Sequence, residues 1–238
     1  MNENSSTKKI LKYIHTTTGR DKINRTLQYI FKLFLAYNIK YNNNNEETII
    51  LIRKIITNIT LSRKFVRIGR PLEHLNTFYI SLNLKDDFSK YCVIIRNLAY
   101  AIYLTFDMMI WIYKSGIMKF ENFKIIYVNS QLFWLIGIIF GILNEIYKLK
   151  RNSEKITEIY ECNISDEKES KKRKNDDLKD LSYYQKNHYL TLTQHSCDLL
   201  QPISSLGIFV IEPILLALFG IVSSVIGARN QWIKVNGK

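Results

Sequence analysis

The 238-residue chain carries 34 lysine and arginine residues against 21 aspartate and glutamate, a net charge of +13, and is 47% hydrophobic with only 3 prolines and 9 glycines. That apolar content excludes a disordered chain, and so few turn-forming residues exclude a sandwich or barrel of many short strands, which leaves an all-α fold. Eleven of the thirteen surplus charges fall in residues 1–149 and none in 150–182, so the basic surface is local and of the kind that meets nucleic acid or anionic lipid headgroups.

The first nine residues are polar and lack the apolar stretch of a secretory signal, so a membrane destination is expected to be encoded internally. Ile23, Leu27, Ile30, Phe31, Phe34 and Leu35 recur at helical spacing, with Arg25, Gln28 and Lys32 opposite, which predicts an amphipathic helix. Tyr41 to Glu47 is a polar connector. Beyond it, Leu61, Phe65, Ile68 and Leu72 form one helical stripe, while Arg63, Arg67, Arg70 and His74 repeat the same spacing about 200° away. Gly69 and Pro71 end or kink this helix, and Leu72, Leu75, Phe78 and Leu82 mark a short one after it. A helix with one greasy and one cationic face fits a protein core, a nucleic-acid backbone or the headgroup layer of a membrane.

Three apolar stretches follow. Asn97 to Tyr113 is 17 residues with Asp107 as its sole charge, too short and interrupted for a clear membrane span. Leu132 to Leu143 is an uninterrupted run of 12 containing Gly137 and Gly141, a length that fits a half-buried or interfacial segment, with close helix packing through the glycines. Ile203 to Ala228 holds 26 residues with one charge, Glu212, followed by Pro213, and fits either a single span or a re-entrant pair broken at that point. Arg229, Trp232 and Lys234 after it are typical anchors at a bilayer surface. Between the second and third stretches, 18 of the 33 residues from 150 to 182 are charged, of both signs, which reads as a solvated disordered linker with a candidate phosphorylation site at Ser165. The expected organisation is therefore a basic amphipathic region over 1–149, the linker over 150–182 and a membrane-embedded helical region over 183–238.

No nucleotide, nucleophile-elbow or zinc-protease motif is present, and Cys92, Cys162 and Cys197 form neither a disulfide framework nor a zinc knuckle. His188 and His195 stand seven apart without further ligands at metal-binding spacing. The expectation is a protein that is not an enzyme and carries no cofactor or metal. Asp107 and Glu212 are the acids within apolar segments and could line a pore.

Several segments together resemble one family. "TTGRDKINRTLQY" (17–29), "TLSRKFVRIGRPLEHL" (60–75), "RNLAYAIYLTFDMMIW" (96–111), "FWLIGIIFGIL" (133–143), "CDLLQPISSLG" (197–207) and "GIVSSVIG" (220–227) occur in the order seen in the peroxin-11 family of peroxisomal membrane elongation proteins. The resemblance implies a protein of the peroxisomal membrane that inserts an amphipathic helix, here near 59–83, to curve and elongate the membrane and promote fission. It implies Arg63, Lys64, Arg67 and Arg70 as lipid headgroup contacts and Leu61, Phe65, Ile68 and Leu72 as the membrane-inserting face. The implied partners are an anionic phospholipid membrane, further copies of the chain, a membrane fission adaptor and a dynamin-related GTPase. A peroxisomal pore or metabolite channel is the alternative. Nucleic acid is disfavoured as a partner, because the aromatic residues sit within the apolar segments and not on an exposed stacking platform. On this reading, reversing Arg63, Arg67 and Arg70 to glutamate abolishes binding to anionic vesicles.

Overall fold

The computed structural model describes residues 3–41, 46–161 and 168–237, and among them there are eight helices and no strand. In chain order these are α1 (Glu3–His15), α2 (Thr17–Tyr41), α3 (Glu46–Phe65), α4 (Arg70–Ser81), α5 (Asp87–Lys114), α6 (Phe123–Glu161), α7 (Lys168–Ser205) and α8 (Pro213–Asn236). The core pairs are α5 with α6, α6 with α7, α7 with α8 and α8 with α2, while α3 packs on α2 and α5. Sequence neighbours mostly pack together, as short connections in a helical bundle require.

Local signals account for the boundaries. Asp86 caps α5 by accepting the Ser89 amide at 3.0 Å, and the same carboxylate accepts the Tyr147 hydroxyl at 2.8 Å and pairs with Arg151, which fastens the start of α5 to α6. Pro71 opens α4, and the turn at 66–69 bends the chain between α3 and α4 where the sequence predicts a break. Pro213 opens α8 and residues 206–212 part it from α7, so the stretch 203–228, whose sequence fits either a single span or a broken pair, is not one continuous helix.

The interior is unusual. Among the described residues, sixteen polar or charged residues are buried against fourteen apolar ones, and Ile110 and Ile138 are the large apolar side chains with almost no exposure. Isoleucine, leucine, phenylalanine and tyrosine instead stand outward on α2, α3, α4, α5, α6 and α8. A water-soluble domain places these residues the other way round, whereas a bundle whose outer surface meets hydrocarbon has no reason to hide them.

Helices α5, α6 and α8 are each long and apolar enough to cross a membrane. This corrects the reading of 97–113 and 132–143 as segments too short to do so. The residues that interrupt the apolar runs point inward: Asn97 and Asp107 on α5, and Ser130, Gln131, Asn144 and Glu145 on α6, are all buried. A linear scan counts them as interruptions, yet the outer face of each helix stays continuous past them. The two glycines pack as expected: a Cβ at Gly137 would lie 2.9 Å from the Tyr100 ring of α5, and one at Gly141 would lie 3.3 Å from His195 of α7.

The charged stretch 150–182 is also corrected. Residues 150–161 complete α6 and 168–182 begin α7, while Ser165 lies outside the described residues. The Asn152 side-chain amide donates to the Leu181 carbonyl at 2.9 Å, so the two charged ends run alongside one another. Pairs such as Lys150 with Glu154, 3.9 Å apart and one turn on, give a helix without an apolar face local support in water. At 39 residues α6 is about 58 Å long, roughly twice the hydrocarbon thickness of a bilayer, so its charged end extends well past the apolar part.

Candidate functional site

The opposed stripes of the 60–75 segment exist in the structure, with the apolar stripe turned outward as a membrane-inserting face requires and the cations turned elsewhere than to an outer surface. The cations face into the bundle. Arg63, only 9% exposed, donates to Asp21 of α2 at 3.0 Å and to the Gln28 side chain. Lys64 and Arg67 both pair with Asp107 of α5, Arg67 at 2.7 Å. Arg70 lies 3.6 Å from Asp21 and donates to Thr18 at 3.0 Å. Each of the four is turned to a buried carboxylate on a neighbouring helix. Of the apolar set, Phe65 and Leu72 are 59% and 71% exposed, and Leu61 and Ile68 are half-buried.

These cations line a cavity of about 560 Å³ whose walls come from α2, α3, α4, α5, α6 and α7. Arg25 of α2 pairs with Asp198 of α7 and donates to the Ser223 hydroxyl of α8 at 3.1 Å, closing one wall. His74 of α4 bonds the Asn97 side chain at 2.9 Å and stacks on Tyr100. Tyr103 stacks on Trp134, joining α5 to α6 behind Arg67. Burial alone would raise the Asp21 carboxyl, but Arg63, Arg67, Lys22 and Arg70 hold it at about 2, so it stays ionised. Burial, reinforced by Arg25, brings the Lys22 ammonium down to about 8 although Asp198 and Asp21 favour its charge. Burial and Arg96 bring the His195 imidazole down to about 3, which leaves it neutral at physiological pH.

Sequence reasoning missed Asp21, Lys22, Asp198, Arg96 and His195 as parts of one site. A signal existed for part of it: Asp21, Arg25 and Gln28 repeat at i, i+4 and i+7 on α2, a polar stripe that needs a polar partner wherever the opposite face is apolar. The two acids expected to line a pore part company. Asp107 faces the cavity, whereas Glu212 is exposed and pairs with Lys40. The two histidines also separate, His188 bonding Glu145 at 2.7 Å and His195 facing the cavity.

The six segments that carry the resemblance meet here. Asp21, Arg63, Arg96, Trp134 and Asp198 each bring one of five segments to the cavity wall, and Ser223 brings the sixth behind Arg25. The family model described as peroxisomal biogenesis factor 11 matches residues 7–232. The chain belongs to the peroxisomal biogenesis factor 11 family. Among its relatives, peroxisomal membrane protein PMP30B of Candida boidinii is 30% identical over 94% of this chain and 93% of its own length. Peroxisomal biogenesis factor 11 of Schizosaccharomyces pombe is 25% identical over 97% of both chains, and human peroxisomal membrane protein 11A is 22% identical over 91% of this chain and 92% of its own. No solved structure matches. Family membership makes this a protein of the peroxisomal membrane, with a place in peroxisome biogenesis.

Proposed function

We propose that the protein curves and elongates the peroxisomal membrane by seating the outward apolar face of α3 and α4 in one leaflet, and so promotes proliferation and fission. The observation that supports this is the bent α3–α4 pair, whose outer side presents Phe65, Leu72, Leu75, Tyr79 and Ile80 while its cations are tied to the bundle within. Each such side chain moved from water into lipid contributes about 1.5–3 kcal/mol before ordering costs. A wedge inserted into one leaflet alone expands that leaflet, and the ion pairs to α2 and α5 fix its depth against the spanning helices. On this reading the basic residues anchor the wedge to the protein and do not bind headgroups. Self-association and recruitment of a fission adaptor and a dynamin-related GTPase, implied by the family resemblance, complete the proposal.

The test is the full chain reconstituted in liposomes, compared with a Leu72→Glu, Ile80→Glu variant at positions that are 71% and 63% exposed and so carry little of the internal packing. The variant is expected to keep its circular-dichroism helicity and reconstitute normally while losing tubule formation in electron micrographs. Tubules from the variant at the wild-type protein-to-lipid ratio would overturn the reading.

The cavity favours a second reading, a pore or metabolite channel, but not one lined by acids. Asp107 is held by Lys64 and Arg67, and Glu212 lies outside the cavity. A current across planar bilayers that is lost on Trp134→Ala would support it; tubule formation without conductance would reject it.

A further inference from the structure

Nine lysine and arginine side chains and three aspartates line the cavity, with no glutamate among the lining residues. The three aspartates are committed to Arg25, Arg63, Lys64, Arg67 and Arg70. Among the described residues, the other four, Lys22, Lys32, Arg96 and Lys114, have no carboxylate within ion-pair distance; Arg96 lies over the Tyr100 ring at 5.7 Å, and Lys22 lies close against Gly227 of α8. Cations concentrated beyond their counter-charge repel one another, and the arrangement persists at least cost if an anion completes it.

His195 supplies an independent sign. It is 4% exposed, faces the cavity, and neither ring nitrogen has a hydrogen-bond partner among the described residues. Unpartnered polar atoms at that burial are rare and call for a ligand or water. The Nε2 of His195 and the Nε of Arg96 converge on one point, 3.3 Å and 3.4 Å from where a Cβ at Gly141 would stand. The absent side chain lets the imidazole and the guanidinium approach α6 side by side.

We propose that the cavity is a binding site for a phosphate-bearing organic anion, held by Lys22, Arg96 and His195 within the ion-paired wall of α2, α3 and α5. Arginine forks match the oxygens of phosphate in a bidentate manner, and a dianion offsets two surplus cations where a carboxylate offsets one. The volume suits a small phosphate ester, and the Tyr100, Tyr103 and Trp134 rings give its organic part an apolar wall. The anion could arrive as a soluble ester or as the headgroup of a phospholipid, and the chemistry of the contacts is the same. The site is independent of the elongation reading, since none of the three side chains lies on the outer face of α3 or α4.

The test uses the purified full chain in phosphatidylcholine nanodiscs, titrated with glycerol 3-phosphate by calorimetry, and in a second arm reconstituted with phosphatidic acid and examined by native mass spectrometry. Lys22→Met and Arg96→Met remove cations that no carboxylate holds, so they are expected to leave thermal stability unchanged or raised while weakening binding at least tenfold. Lys54→Met, on an exposed position of α3, is the charge-matched control and is expected to bind as wild type. Saturable binding of the soluble ester assigns the site to free phosphate esters, and retention of phosphatidic acid alone assigns it to a headgroup. Absence of saturable binding in both arms, or equal binding by wild type and both methionine variants, would overturn the proposal.

Discussion

Asp107→Ala is expected to destabilise the protein by about 3–5 kcal/mol, the largest effect of any single substitution in the bundle. The carboxylate is 4% exposed and holds two cations at once, Lys64 and Arg67, whose side chains are 12% and 14% exposed. Its loss leaves two buried positive charges beside Arg63 and Arg70 with no acid on α5 to hold them, and α3 loses its main polar attachment to that helix. The loss in the single variant measures stranded charge and not the worth of the attraction, so Asp107→Ala combined with Lys64→Met and Arg67→Met is expected to recover most of the stability. Thermal unfolding in nanodiscs measures both. If the single variant melted with the wild type, Asp107 would not be the clamp between α3 and α5. The same reasoning changes the expected outcome of reversing Arg63, Arg67 and Arg70 to glutamate. New acids would face Asp21 and Asp107 inside the bundle, and the result is a misfolded protein, not a folded one that has lost its taste for anionic vesicles.

Gly220→Val is expected to cost about 1–3 kcal/mol and to loosen α8 from α2. Gly220 is buried against the face of Tyr29, and a Cβ there would fall well inside contact distance of three ring carbons. The ring is 5% exposed and its cationic neighbours, Arg25 and Lys32, lie 5.5 Å and 4.8 Å from its centre, so it has little space into which to swing. Pairing Gly220→Val with Tyr29→Ala makes room for the added methyls, and the double variant is expected to be less destabilised than the sum of the two singles. Strict additivity in that cycle would show that the glycine is not needed for the close approach of the two helices.

The helical class and the break at Gly69 and Pro71 were legible because each rests on chemistry local to a few residues, whereas hydropathy left the break before Pro213 open against a single span. The stripes of 60–75 were legible as geometry, but the partners of the cations were not. Periodicity gives the angle between two faces and is silent on what each face meets, so the cations expected at headgroups could not be seen to have Asp21 and Asp107 as partners. Asn97, Asp107, Asn144 and Glu145 misled for the same reason: each interrupts an apolar run in the sequence and is satisfied or enclosed inside the bundle. The charged ends of α6 and α7 were read as linker because neither has an apolar stripe, while their support comes from pairing with one another and from turn-to-turn ion pairs. Asp198 and Arg96 carried no local signal. Their role exists only once α7 and α5 have been brought to the same cavity.

The ion pairs that hold the bundle also set an order of events during synthesis. Arg25 and Asp198 are 173 residues apart in the chain, and Lys64 must wait 43 residues for Asp107. The nascent segment from α2 to Arg67 carries Arg25, Lys64 and Arg67 before their acids are made, whereas Arg63 follows its partner Asp21. The N-terminal helices therefore gain these inward ion pairs only once α5 and α7 have been made, and the bundle closes late in the growth of the chain.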